Sequence, residues 1–109
     1  MSLASIKRRI AVGSKLQVVR HDWPALRLNG ETAAQYEAKQ AAFFAVREVV
    51  SIRGGEVGFK TENPATGLPR TSYLAWPKAN SVRETAKGFQ VDLNGDGKFT
   101  ALMEYEYRD

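Results

Sequence analysis

The chain has 109 residues, 43% of them hydrophobic and 26% charged, with a formal net charge of +4 and no cysteine. These values describe one domain over residues 1–109 with apolar residues enough for a single modest core. They exclude a disordered chain, a disulfide framework, thiolate metal ligands and a cysteine nucleophile. The expectation is a cytoplasmic protein, because no apolar run is long enough to span a bilayer, no secretory leader is seen and cysteine is absent.

The charge is unevenly placed. Residues 1–30 carry Lys7, Arg8, Arg9, Lys15, Arg20 and Arg27 against Asp22 alone. Residues 92–109 carry Asp92, Asp96, Glu104, Glu106 and Asp109 against Lys98 and Arg108. A basic start and an acidic end point to a polyanion partner, to attraction between the two ends within the fold, or to plain solvated surface.

Residues 2–10 read as a short helix. Ser2 or Ser5 can cap it, Leu3, Ile6 and Ile10 lie near one face, and Gly13 can end it. Its cations Lys7, Arg8 and Arg9 fall in the last turn, where they favour the helix dipole; anion binding is the competing reading. Residues 15–21 form the first strand, broken by His21-Asp22-Trp23-Pro24. His21 is the single histidine, so it cannot belong to a histidine metal cluster, and it reads as a strand-end residue with a local partner.

A long excursion follows over 26–40. Asn29-Gly30 marks a turn, and Thr32 can cap a short helix over 33–40. Such excursions often carry a binding surface. The second strand is expected over 44–52 and the third over 57–61, joined by Gly54-Gly55 as a two-residue turn. That turn sets Ile52 opposite Val57, Val50 opposite Phe59, and Arg53 opposite Glu56. Residues 62–69 read as an exposed loop. Residues 72–76 make a fourth strand, stopped by Pro77, and 79–83 a connector with one helical turn.

The last stretch alternates. Phe89, Val91 and Leu93 share one side of a strand, and Phe99, Ala101, Met103, Tyr105 and Tyr107 one side of another. A three-residue loop Gly95-Asp96-Gly97, with Gly97 left-handed, places Leu93 opposite Phe99, Val91 opposite Ala101 and Phe89 opposite Met103. All six then lie on one face of a C-terminal hairpin.

This order resembles a small SH3-like barrel. The likeness is carried by the Gly13-led strand, the long excursion, the hairpin about Gly54-Gly55, the run Tyr73-Leu74-Ala75-Trp76-Pro77, and Gly88-Phe89-Gln90-Val91. It covers most of residues 13–93. The chain is also similar to small uncharacterised proteins of phages and mobile elements. The expected fold is therefore mainly β: an SH3-like barrel with a short N-terminal helix, a helix in the long first loop and a C-terminal β-hairpin. The Ala-Leu-Tyr-Asp-Tyr-like run that opens the peptide groove of true SH3 modules is not in the sequence.

Asp92-Leu93-Asn94-Gly95-Asp96-Gly97-Lys98-Phe99-Thr100 looks like the start of a calcium loop, with Asp92, Asn94, Asp96 and Thr100 as oxygen donors. Position twelve is Met103 rather than an acid, and the flanks read as strands, so a hairpin turn built from Asn, Asp and Gly is favoured and no metal or other cofactor is expected. No paired acid and base, activated nucleophile or phosphate-binding glycine loop is seen, so the chain is read as non-enzymatic. Nucleic-acid binding needs cations for phosphates and exposed rings for bases. Arg20, Trp23, Arg27 and Tyr36 lie near the excursion; Tyr73, Trp76, Lys78 and Arg83 lie near the fourth strand. A basic aromatic patch results if the two groups meet, against the alternative that Trp23 and Trp76 plug the barrel ends. The rival expectation is a protein-interaction module or homodimer, in which the last strand is an edge and Tyr105 and Tyr107 bury against a second copy.

Overall fold

The computed structural model describes residues 2–23 and 26–109, Ser2 by its backbone alone; Met1, and Pro24 as breaker of the first strand, lie outside that description. Helix α1 (Ser2–Arg9) precedes β1 (Lys15–His21), α2 (Ala33–Phe43), β2 (Arg47–Arg53), β3 (Glu56–Glu62) and β4 (Pro69–Ala75). A 3-10 turn (Ala79–Ser81), β5 (Val82–Glu84), β6 (Gly88–Asp92) and β7 (Leu102–Tyr107) complete the order. The fold is mainly β, with two helices and one antiparallel sheet running β4-β3-β2-β1-β7-β6-β5.

The sheet is not closed into a barrel. Its edges are β4 and β5, and no ladder joins them. This overturns the SH3-like barrel, and the likeness to phage and mobile-element proteins falls with it. The reason lies in α1. Ile6 and Ile10 are 1% and 3% exposed and belong to the same core as Leu16, Val18, Val49, Val57, Phe59, Phe89 and Tyr105. The helix packs on β5, and its Lys7 Nζ lies 5.4 Å from the ring centroid of Trp76, just past β4. A helix thus occupies the space between the two edges, and burial of its apolar stripe does the work that closure would do. Trp76 packs against the core beneath α1 rather than plugging a barrel end.

The expected helix in the excursion is present and carries a full capping box. Thr32 Oγ1 accepts the Gln35 N–H at 3.1 Å, and Gln35 Oε1 accepts the Thr32 N–H at 2.9 Å. It runs on to Phe43, so the second strand starts at Arg47 rather than at residue 44. Across the β2–β3 turn, Ile52 pairs with Val57 and Arg53 with Glu56, as expected. Val50 does not face Phe59. A bulge between Val49 and Ser51 puts Val49 opposite Phe59 and leaves Val50 39% exposed. Ser51 fits opposite Gly58 because that residue has no Cβ to meet its hydroxyl.

The terminal hairpin forms with a different register. Phe89 pairs with Tyr105 and Val91 with Met103, a two-residue shift from the expected pairing. The shift keeps every side chain on its face, since the side-chain period is two. Residues 93–101 are loop, not strand. Phe99 itself has φ +54, a left-handed value that a strand cannot hold. Strand β7 also lies between β1 and β6. It is therefore no edge, and Tyr105 buries in its own core, 2% exposed, stacked 5.0 Å from Phe89. The expected edge-strand homodimer loses its geometry. The ends of the chain do attract each other: Arg9 Nη2 lies 2.8 Å from Asp109 Oδ1, and its guanidinium 4.2 Å from the Tyr107 ring centroid.

At Gly88 a Cβ would run into the Tyr105 carbonyl and Glu106 Cα of the neighbouring strand, so backbone has to move to admit it. Gly88→Ala is expected to lower stability by about 1–3 kcal/mol or more, in the range of overpacked cores. The urea midpoint of the variant measures this.

Candidate anion-binding cleft

The seam between β1 and β2 is short. Only Lys15 with Glu48 and Leu16 with Arg47 are paired. Beyond them Gln17 Nε2 donates to the Phe44 carbonyl at 2.8 Å, and the C-terminus of α2 fills the gap. A cleft of about 410 Å³ opens there. Its lining comes from the end of β1 (His21), the following turn (Trp23), α2 (Lys39, Phe43), β2 (Arg47), β3 (Thr61) and β4 (Arg70, Ser72, Tyr73).

Strand parity explains the cations. Arg47 is two residues before Val49 and shares its face, so the alternation that builds the core also turns a guanidinium inward. Thr61 is two residues past the buried Phe59, and Arg70 is its partner across the β3–β4 ladder. A bulge at Val19 in β1 brings His21 opposite Met103, which packs on the core.

Arg47 is 9% exposed. Its Nη2 donates to the Phe43 carbonyl at 2.6 Å, its guanidinium lies 4.9 Å from the Phe43 ring centroid, and its Nε is buried without an acceptor. Among the described residues no carboxylate pairs with Arg47 or with Arg70. Burial is the largest influence on the Arg47 pKa and pulls it down; nearby Arg70 pulls the same way, and Tyr105 opposes. Tyr105 in turn is pushed up to about 12 by its burial, against the influence of Arg47. His21 lies edge-on to Phe43, with ring centroids 5.3 Å apart, and its Nδ1 is also buried without a hydrogen-bond partner. The local polar partner expected for His21 is therefore not found. Glu62 is the sole carboxylate of the lining. Lys39 is partly occupied, its Nζ 3.2 Å from Glu31 Oε1. Trp23 and Tyr73 are 53% and 60% exposed, rings available at the rim.

Of the expected patch, only Trp23 and Tyr73 come together. Arg20 places Nε and Nη2 on Asp22 at 2.8 and 3.0 Å. Arg27 donates to the Glu31 carbonyl at 2.8 Å, and Tyr36 lies on α2 beneath Lys39, whose Nζ is 5.5 Å from its ring centroid. Lys78 precedes the 3-10 turn. Arg83 is on the far edge strand β5, its guanidinium 4.2 Å from the Phe99 ring centroid and its Nε on Gln90 Oε1 at 2.7 Å. Lys39, Arg47, Arg70 and His21 were not among the expected binding residues. The available signal was Arg47 itself, a cation in phase with the core positions of its strand.

The calcium-like loop uses its oxygens internally. Asp92 is 4% exposed and accepts the Asn94 and Gly97 N–H groups at 3.1 and 2.6 Å. Asn94 Nδ2 donates to Thr100 Oγ1 at 3.0 Å, and Asp96 Oδ1 accepts the Lys98 N–H. Among the described residues no three acidic, histidine or cysteine side chains are grouped as a metal site. Burial acts to raise the Asp92 pKa, but the N–H groups of Gly97, Asn94 and Phe99 outweigh it and leave the carboxyl below its ordinary value. Asp22 is also held low, by Arg20 first and then by the Leu102 N–H.

No protein-family model, no curated protein and no solved structure matches the chain. Among the described residues no helix is long and apolar enough to cross a membrane.

Two outcomes follow for stability. A buried cation without a carboxylate is a cost to the fold, since an apolar side chain of similar volume avoids its desolvation. Arg47→Met is therefore expected to leave the melting temperature unchanged or raise it, as differential scanning calorimetry will read. The depressed carboxyls act with pH. Asp22 and Asp92 are lowered only in the folded chain, so they stabilise above the unfolded value of about 3.9, and that contribution is lost as pH falls through the lower folded values. The melting temperature should hold down to about pH 5 and fall below about pH 4, more shallowly in Asp22→Asn.

Proposed function

We propose that this is a non-catalytic cytoplasmic binding domain whose ligand is a single-stranded nucleic acid, held in the β1–β2 cleft. The observation that carries the reading is Arg47: an arginine nine-tenths buried, without a carboxylate, beside a second unpaired arginine. A protein keeps such a charge in its interior at a cost to stability, and an incoming anion recovers that cost. A phosphate accepts from planar guanidinium forks with favourable geometry. The rings of Trp23 and Tyr73 at the rim offer stacking faces for bases. Paired bases hide those faces, so a single strand suits the cleft better than a duplex.

Fluorescence anisotropy with labelled single-stranded DNA, RNA and duplex DNA, at low and near-physiological salt, tests this. Binding should favour the single strands and weaken steeply with salt. Trp23→Ala and Arg70→Ala should each weaken it by about tenfold, the scale of one stacked base or one charged hydrogen bond. Arg20→Ala and Arg27→Ala, whose donors are already occupied within the protein, should change it little. Equal loss in all four variants would place the binding elsewhere.

A further inference from the structure

The charge and the unpaired donors of the cleft set which phosphate it suits. We infer that the ligand is recognised at a strand end, through a terminal phosphomonoester rather than an internal phosphodiester; this rests on the proposed nucleic-acid reading and narrows it. Arg47 is 9% exposed, on the inward face of β2 beneath Phe43, not along the surface. An internal phosphodiester carries a sugar on either side, and both would have to approach Arg47 through this cleft of about 410 Å³ or through the adjoining one of about 630 Å³ that Arg47, Thr61 and Glu62 also line. A terminal phosphate brings one nucleotide, and about 410 Å³ is the size of a small-ligand site.

The chemistry of the lining agrees. A monoester carries a charge of about −1.5 to −2 at neutral pH and three terminal oxygens, whereas a diester carries a single charge and two. The cleft gathers Arg47 and Arg70 with no carboxylate on either, and His21 with its Nδ1 unpartnered. The Thr61 and Ser72 hydroxyls also line it, but they are hydrogen-bonded to each other at 2.9 Å and Thr61 donates to the Arg70 carbonyl at 3.4 Å, so they donate to a ligand only by breaking that pair. Glu62 is the one opposing charge of the lining. Trp23 and Tyr73 border the same cleft, so the terminal base can stack there while its phosphate reaches inward.

The experiment compares one short oligonucleotide in three forms: with hydroxyl ends, with a 5′-phosphate and with a 3′-phosphate. Each is titrated against the full chain by anisotropy, with the label at the opposite end. A phosphorylated form is expected to bind at least about tenfold more tightly than the hydroxyl form, the scale of hydrogen bonds to a charged group. That preference should vanish in Arg70→Ala and Arg47→Met, while Trp23→Ala weakens all forms alike. Arg47→Lys keeps the charge without the planar fork and should reduce the preference, a check that holds if the methionine variant misfolds. Equal affinity of all three forms would overturn the terminal-phosphate inference and leave the nucleic-acid reading standing. Failure of every form to bind would overturn both.

Discussion

The short seam between β1 and β2 is the constraint on which the molecule turns. Strand β1 is held firmly on its other side, where its ladder with β7 runs from Leu16 to His21. Toward β2 it is paired only at Lys15 and Leu16. A backbone that stops pairing in the middle of a sheet must place its polar groups elsewhere. Here the C-terminus of α2 enters, with Gln17 on the Phe44 carbonyl and Arg47 on the Phe43 carbonyl. The same opening that spoils the ladder makes the cleft, so site and irregularity share one cause.

The two helices divide the face of the sheet. Helix α1 is amphipathic and, with Ile10 just past its end, buries Ile6 among residues from both halves of the sheet. Helix α2 buries no residue within its span, and only Phe43 at its end packs against the core. One helix completes the core; the other is held by its capping box and by its last turn. The contrast follows from sequence. Residues 33–40 hold alanine, glutamine and charged residues without an apolar stripe, whereas Leu3, Ile6 and Ile10 fall on one side.

Much of the local structure was legible. Strand β1 has the expected bounds, and the two pairs nearest the Gly54-Gly55 turn are the expected ones, because period-two alternation and turn chemistry act over a few residues. The open sheet was not legible, since closure depends on whether the edge strands meet, and nothing local says that the N-terminal helix, itself expected, packs beside both edges. The hairpin register went astray at residues 93–101. The alternation there continues through Phe99 and Ala101, but Asp92 draws the chain into a loop by accepting two backbone N–H groups. Local side-chain-to-backbone hydrogen bonding outweighed pattern at that point. In the cleft, Trp23 and Tyr73 were found because exposed rings near the excursion and the fourth strand were sought. Arg70 was not, because it gains meaning only from its position across β3 from Arg47, and Arg47 was marked only by its phase with the core positions of its strand.

The place of β7 has a consequence for how the protein is made. It is the last strand in chain order and a central one in the sheet, between β1 and β6. Its pairing with β1 joins residues such as Leu16 and Tyr107 across nearly the whole sequence. During synthesis the β2–β3–β4 meander can form as it emerges, since its turns are local. Strand β1 must wait with one side open until residues 102–107 leave the ribosome, and non-local pairing of this kind is slow. The order of translation therefore runs against the order of the sheet, and the nascent chain depends on its final strand to unite the two halves.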